Sequence, residues 1–321
     1  MTNQMQNLTS LFRERSVCPV CSSSSLLCLY QTSYSDKSFR KFLELEPTYQ
    51  HTFWDDYDKG LFKNENYIIS KCDDCGFIFQ GNVLNDTGLK RLYDQWIDPQ
   101  ATYEMHNKQD LLARSRAYVH RLNIVLRHFS DFTSINILDW GGGCGDFCAA
   151  ATNGGVNVTA LEFSDERKEH LEKRGIDVVK MDDLKENYYH FINLDQVLEH
   201  IVNPVDLLMH IRKYLRDDGV IFVGTPTCAR AEVLLRSGNL TPEVYSYLSP
   251  LQHINAFTNK TLKVACKNAN LRVLFSINPQ PALIFSRHEL LGSMYDLLKN
   301  FARPLNYYFL GTSFFTAARD I

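Results

Sequence analysis

The sequence predicts an α/β chain built on a doubly wound, mostly parallel, seven-stranded sheet, with a cysteine-bearing module ahead of it. Three observations carry that prediction. Ile135-Asn136-Ile137-Leu138-Asp139 is a short apolar run that breaks into Gly141, Gly142, Gly143 and Gly145, then resumes as Phe147-Cys148-Ala149-Ala150-Ala151. That order reads as strand, tight turn, helix. Strand-length apolar runs then alternate with helical patterns as far as Pro226, as expected of a parallel sheet covered on both faces. Two C-x-x-C pairs, Cys18/Cys21 and Cys72/Cys75, stand in an aromatic-rich stretch before the glycine turn.

Composition sets the bounds. A chain of 321 residues suggests two domains, or one α/β domain with additions. Hydrophobic content of 45% and charged content of 22% are those of a globular protein, and a net charge of -3 gives no global attraction to nucleic acid or acidic membranes. No uninterrupted apolar segment approaches the ~20 residues that span a bilayer. The polar start Met1-Thr2-Asn3-Gln4 lacks a signal core, so the expectation is a cytoplasmic protein. Nine cysteines, an odd number, fit a reducing compartment better than a disulfide framework.

Residues 1–80 are expected to form the module. Each C-x-x-C pair can fold a turn that aims two sulfurs at one point, and two such turns complete a tetrahedral thiolate site for zinc. Structural zinc on Cys18, Cys21, Cys72 and Cys75 is expected ahead of a redox dithiol, because neither pair sits at a strand-to-helix turn. The interval 22–71 exceeds the usual zinc-ribbon spacing, but its many aromatics, Tyr34, Phe39, Phe53 and Tyr67 among them, imply that it packs. Residues 81–134 read as a helical linker or lid. Gln109 to Phe129 carries apolar positions near a 3.6 period, and Arg114, Arg116, Arg121 and Arg127 are expected on its solvated face. The segment 96–107, with Tyr103 and His106, could close over a ligand.

The rest, 135–321, is the predicted core domain, with insertions at 227–251 and 279–305. Its glycines at 141, 143 and 145 follow Asp139 as D-x-G-x-G-x-G, a spacing that does not supply the third glycine of a dinucleotide fingerprint. Val156 to Glu162 is a second strand ending in an acid about 20 residues past the turn, where a carboxylate can accept both ribose hydroxyls of an adenosyl ligand. Ile176–Val179 is a third strand, followed by Asp182 and Asp183. Phe191 to Asp195 is a fourth, leading into Gln196-Val197-Leu198-Glu199-His200, then Asn203-Pro204 and a helix over 206–216. A turn at Asp217-Asp218-Gly219 precedes a fifth strand, Val220–Pro226, and 271–277 and 307–317 read as the sixth and seventh.

The glycine turn, the acid of the second strand, the Gln-Val-Leu-Glu-His exit and the fifth strand together resemble the class I S-adenosylmethionine-dependent methyltransferases. The resemblance covers 135–226 and continues more loosely through Gln252-His253-Ile254-Asn255-Ala256-Phe257-Thr258, a stretch that begins a helix in that family. It implies a Rossmann-like sheet with its last strand antiparallel between its neighbours. It also implies S-adenosylmethionine bound by Asp139, Gly141, Gly143, Gly145, Glu162 and Asp195, with Asp182 or Asp183 on the adenine amine. Methyl transfer from a sulfonium needs donor and acceptor held close and water excluded, and a hydroxyl or acidic carbon also needs a proton acceptor. His200 and His253 lie past strands on the cofactor side and are the candidate bases.

The paired knuckles resemble the zinc-containing sugar methyltransferases, which implies a small-molecule acceptor, a sugar or nucleotide-linked sugar methylated on oxygen or carbon. The insertion 227–251, with Tyr245 and Tyr247, is the expected second wall of the acceptor pocket, and the 288–301 amphipathic stretch is expected to cover the core or a homodimer partner. The alternatives are an RNA methyltransferase with a ribbon as its RNA grip, and a cofactor-binding scaffold without turnover. The ribbon mixes Lys37, Arg40, Lys41, Lys59, Lys63 and Lys71 with abundant acids, which counts against RNA. No membrane partner is expected.

Overall fold

The computed structural model describes residues 10–107, 111–129, 134–276 and 312–317. The N-terminal part opens with β1 (Phe12–Glu14), β2 (Leu26–Ser33), α1 (Lys37–Leu43), α2 (His51–Asp58), β3 (Asn66–Cys72), β4 (Ile78–Gln80) and β5 (Asn82–Leu84). Strands β2, β3 and β4 form an antiparallel sheet, while β1 pairs with β5. The aromatics of the long inter-knuckle interval account for this compactness: Phe39, Phe53, Phe62, Tyr34 and Tyr67 are almost wholly buried and form one cluster of touching rings. Aromatic side chains of this size supply most of the burial a small module needs.

A helical connection follows: α3 (Asp86–Arg91), a π-helical turn at Leu92–Trp96, α4 (Pro99–Asn107) and α5 (Leu111–His128). The long amphipathic helix read over 109–129 is thus present. Its arginines differ from expectation. Arg121 is 6% exposed and paired to Asp195, and Arg114 is paired to Asp146, so these two point inward rather than to solvent. The guanidinium is drawn in because each faces a carboxylate, and Arg121 also lies 3.4 Å over the Phe222 ring.

The core runs β6 (Asn136–Trp140), α6 (Asp146–Asn153), β7 (Asn157–Leu161), α7 (Asp165–Lys173), β8 (Asp177–Val179), β9 (Tyr189–Asp195), α8 (Pro204–Arg212), β10 (Leu215–Thr225), α9 (Ala231–Arg236), α10 (Pro242–Tyr247), β11 (Asn255–Ala256), α11 (Asn259–Asn268), β12 (Arg272–Ser276) and β13 (Thr312–Ala317). Five strands, β8, β7, β6, β9 and β10, are parallel neighbours in that order, and β13 continues the sheet antiparallel between β10 and β12. Their side chains alternate between two apolar layers. Ile137, Phe191 and Phe222 meet Leu122 of α5 and Phe147 of α6, while Leu138, Ile192 and Ile221 meet Leu208 of α8 and Leu262 of α11. A parallel strand covered on both faces must be apolar at nearly every position.

The expected turn at 217–219 lies inside β10, as a register shift between Leu215 and Val220. The helix foreseen at 206–216 spans Pro204–Arg212, with proline in its first turn, where no backbone donor is lost. The parts of the seventh-strand reading at 307–311, and the whole 279–305 insertion, fall outside the described residues.

One element crosses between the two parts. β11, from the stretch read as a helix start, adds to β4 of the N-terminal sheet through Asn255↔Phe79 and Ala256↔Ile78. The helix begins only at α11, where Thr258 and Thr261 make a reciprocal capping box. Helices α9 and α10 of the 227–251 insertion bury Ala231, Leu235, Val244 and Leu248 in the same apolar cluster as Phe39, Phe53 and Tyr67. On the other side, Cys18, Val20, Cys72, Phe77 and Phe79 sit in the cluster of Trp140 and Phe257. The module is therefore wedged against the core rather than tethered to it.

Candidate active site

Strand order reverses at β6, whose neighbours are β7 and β9. Ligands of such sheets bind beyond the carboxyl ends of the strands at that reversal. The glycine turn lies there. Gly141, Gly143 and Gly145 have φ of 85°, 53° and 80°, in the left-handed region that favours glycine. A Cβ on Gly145 would come within 2.5 Å of Ile176 and 2.7 Å of Leu171, so helix and strand close on the turn only because it is bare.

Glu162, at the end of β7, clamps this turn. Its Oε2 accepts from the Gly143 N–H at 3.1 Å, and its Oε1 accepts from Phe163 at 2.8 Å and Ser164 at 3.1 Å. Beside it Phe163 leaves 61% of its surface exposed, a flat apolar face at the mouth. The glycine turn, the Glu162 carboxylate and the exposed Phe163 ring are the groups here that could hold an adenosyl ligand. Asp182 and Asp183 lie on a 3₁₀ turn, exposed to solvent, one strand further along.

Asp139 and Asp195 are each held by other side chains. Asp139 is 4% exposed and sits beneath the turn, accepting from Asn193 Nδ2 at 2.7 Å and Cys148 Sγ at 3.3 Å. Burial raises its pKa to about 6, against the hydrogen bonds of Asn193 and Cys148. Both oxygens are engaged by side chains, one on β9 and one on α6. Asp195 accepts from Arg121 Nη2 at 2.9 Å, and Arg121 Nη1 donates to Asn193 at 2.5 Å, which ties α5 to the end of β9. A Cβ on Gly224 would fall 2.4 Å from Asp195 Oδ1, so the neighbouring strand leaves it room.

The lid segment adjoins the turn. His106 Nε2 lies 2.9 Å from Asp146 Oδ2, and Arg114 and Arg174 also pair with Asp146, at 2.9 and 3.1 Å. The hydrogen bond to Asp146 raises the His106 pKa to about 9, and the same bond lowers Asp146 to about 2. Tyr103 stacks on His170 of α7 with ring centroids 4.4 Å apart.

The exit of β9 brings Glu199 and His200 beside His253. The two imidazole centroids are 4.8 Å apart. His200 Nδ1 lies 3.0 Å from the Gln252 carbonyl and His253 Nδ1 lies 3.1 Å from the Ser246 carbonyl. A carbonyl can only accept, so each Nδ1 carries the proton and each Nε2 keeps its lone pair. Burial drives the His200 pKa down to about 3, with His253 adding to the drop, and burial lowers His253 too. Glu199 is 1% exposed, neither of its oxygens has a hydrogen-bond partner among the described residues, and burial raises its pKa to about 8. Tyr93, on the π-helical turn, is 45% exposed and lies within electrostatic range of Arg167, Glu162 and Glu199.

The N-terminal module is bonded to the segments that carry Glu199, His200 and His253. Arg15 donates to the Val202 carbonyl and to Asn255 Oδ1, both at 2.9 Å, and Asn255 Nδ2 donates to Leu198 O and Ile201 O at 2.8 and 2.6 Å. These bonds bracket Glu199 and His200. Gln80 Nε2 donates to Ser249 O and His253 O, at 2.8 and 2.9 Å. Glu46 accepts from Tyr245 at 2.7 Å and from Gln252 at 2.9 Å. Tyr245, expected to face an acceptor pocket, thus turns to the module, and Tyr247 bonds Glu243 of its own helix at 3.0 Å.

The four knuckle cysteines converge, with their sulfurs all within 4.8 Å of one another, Cys18–Cys75 at 3.6 Å and Cys21–Cys72 at 3.5 Å. Zinc–sulfur bonds of ~2.3 Å in a tetrahedron put sulfurs ~3.8 Å apart, so the donor set and its spacing suit that ion.

Reading the sequence alone missed Glu199, Phe163, Tyr93 and the bolts Arg15, Gln80 and Asn255. Glu199 and Phe163 were within reach, since each adjoins a residue already chosen. Arg15 carries no local signal, because its partners lie up to 240 positions away.

The profile of the methyltransferase domain family matches residues 111–275, just over half of the chain. A ubiquinone biosynthesis O-methyltransferase of Actinobacillus pleuropneumoniae serotype 7 (strain AP76) is 23% identical over 162 residues, 45% of this chain and 66% of that protein. The chain thus spans just under two thirds of that relative's length. The solved S-adenosylmethionine-dependent methyltransferase of Archaeoglobus fulgidus is similar at 15% identity and a TM-score of 0.46, over 68% of this chain and all of that one. A second, from Mesorhizobium loti, is similar at 14% identity and a TM-score of 0.42, over 61% of this chain and 96% of that one. Over residues 111–275 the chain belongs to the methyltransferase domain family.

Proposed function

We propose that the protein transfers the methyl group of S-adenosylmethionine to a small-molecule acceptor, with a nucleotide-linked sugar as the first class to test. The observations that carry this reading are a bare glycine turn clamped by Glu162 and, past the next strand of the sheet, a cluster of Glu199, His200 and His253 whose carboxyl group is 1% exposed. The bound cofactor supplies an electrophilic methyl on sulfur. Gly141–Gly145 and Glu162 hold and orient it, and Phe163 covers one face of its base. Asp182 and Asp183, exposed on the next turn, are assigned to the adenine amine. The acceptor enters opposite, between Tyr93 and the two imidazoles. His200 and His253, each presenting an Nε2 lone pair, orient the acceptor toward the sulfonium methyl.

An oxygen acceptor is favoured over carbon, because the curated relative is named an O-methyltransferase. Zinc on Cys18, Cys21, Cys72 and Cys75 staples the module that carries Arg15, Gln80 and Glu46. The test is transfer of radiolabelled methyl from S-adenosylmethionine to a panel of nucleotide-sugars, free sugars, phenols and total RNA. Label on a nucleotide-sugar supports the full reading. Label on another small molecule keeps methyl transfer and rejects the sugar. Label on RNA alone, or no binding of S-adenosylmethionine, overturns it.

A further inference from the structure

Glu199 poses a problem that methyl transfer alone does not solve. A carboxyl group 1% exposed with neither oxygen hydrogen-bonded is costly among the described residues, and an acceptor bound only during turnover leaves that cost standing the rest of the time. The surroundings supply a reason for it. One donor atom each from Glu199, His200 and His253 lies within 4.8 Å of the others. Both imidazoles spend Nδ1–H on a backbone carbonyl, Gln252 and Ser246. That second bond fixes ring orientation and sharpens the free nitrogen, the arrangement by which metal-ligating histidines are held. The shell that places them is itself bonded throughout: Asn255 and Ile254 N–H hold the backbone at 198–201.

We infer that Glu199, His200 and His253 form a divalent transition-metal site in the acceptor half of the cleft. The inference rests on the methyltransferase reading for its purpose, not for its existence. Two nitrogens and one carboxylate oxygen suit zinc, iron, cobalt or manganese better than magnesium or calcium, which prefer all-oxygen shells. Three protein ligands leave coordination positions for an acceptor. Bonds of ~2.0–2.2 Å require the three donors to close by about an ångström, within the reach of side-chain rotation.

An acceptor hydroxyl on such an ion loses its proton to water near neutral pH. Its oxygen then attacks the methyl carbon, the carbon–sulfur bond breaks with its electron pair to sulfur, and a methyl ether and a neutral thioether result. On this account the imidazoles hold the ion rather than carry the proton.

The experiment uses full-length protein whose knuckle thiolates are already filled with zinc, titrated with cobalt(II) alone and followed by visible absorption and calorimetry. The expected result is one further equivalent per chain, with ligand-field bands and no thiolate charge-transfer band. Glu199→Gln and His253→Ala should each weaken that equivalent by roughly a hundredfold, judged against the 10–100-fold lost when only a supporting partner is removed. S-adenosylmethionine binding, unchanged within about threefold, certifies that each variant is folded. Absence of the second equivalent in wild-type protein that binds S-adenosylmethionine overturns the inference. So does a second equivalent that survives both substitutions. Because cobalt binding needs no acceptor, a protein that takes the metal but methylates nothing rejects the methyl-transfer reading and leaves the metal site standing.

Discussion

The proposed cofactor side of the site is assembled from neighbours in sequence: Gly143 and Glu162 are 19 residues apart, and one strand–turn–helix–strand passage delivers both. The acceptor side joins Arg15 to Asn255 and Glu46 to Gln252 across separations of 240 and 206 residues. One side is a local motif, and the other is an interface between two parts of the chain. Damage to the module should therefore reach the acceptor side while leaving the cofactor side nearly intact.

The largest expected effect comes from the knuckles. Stripping metal from the four thiolates, or Cys72→Ser, should forfeit on the order of 10 kcal/mol of binding energy that folds the module. Proteolysis within 22–71 and loss of turnover should follow, with affinity for S-adenosylmethionine reduced much less. Equal losses on both sides would abolish the distinction.

Next comes Arg15→Ala, which strands Asn255 Oδ1 and the Val202 carbonyl in a buried setting. It should cost about 2–3 kcal/mol in denaturant unfolding and lower turnover with the cofactor affinity kept. A stability change below about 0.5 kcal/mol would demote Arg15 from bolt to bystander.

The converse variant, Glu162→Gln, removes charge from the clamp on Gly143. Losing a charged hydrogen-bond acceptor is worth about 1.5–3 kcal/mol, so S-adenosylmethionine should bind roughly 10–100-fold more weakly by calorimetry. The acceptor side should keep its amide-exchange protection.

The smallest effect concerns α4. His106 has its pKa raised from 6.5 to about 9 and Asp146 has its own lowered from 3.8 to about 2. The histidine's contribution is full below pH 6.5 and is lost as pH rises through about 9. The aspartate's is full above pH 3.8 and is lost as pH falls through about 2. Both groups keep some solvent contact, so the pair is worth about 1 kcal/mol after screening. Amide protection over 99–107, taken relative to the intrinsic exchange rate at each pH, should fall as pH rises through about 9, and His106→Gln should flatten that change. Cys144, Arg114 and Arg174 share the contact, and a profile unaltered in the variant would assign the change to them.

What could be read from sequence follows the same division. The parallel strands, the glycine turn and Glu162 were legible because strand period, turn glycines and acid spacing are all local. The knuckles were legible as a donor set, since C-x-x-C fixes two sulfurs at once. The inward turn of Arg114 and Arg121 was not, because a helical face looks solvated until the carboxylates opposite it are known. Nor was the split of Gln252–Thr258 into β11 and a later helix. That split depends on the open edge of β4 in the N-terminal module, which the Asn255↔Phe79 pairing fills. Tyr245 was placed in the right neighbourhood but with the wrong partner, because Glu46 could not be foreseen beneath it.

The most direct measurement is amide hydrogen exchange of the full-length chain, zinc-loaded and chelated, each with and without S-adenosylmethionine. The account predicts that the cofactor protects 141–145 and 162–164 in both forms, while chelation deprotects 198–202 and 249–257. Loss of cofactor protection on chelation to the same degree, or unchanged exchange at 249–257, would contradict it.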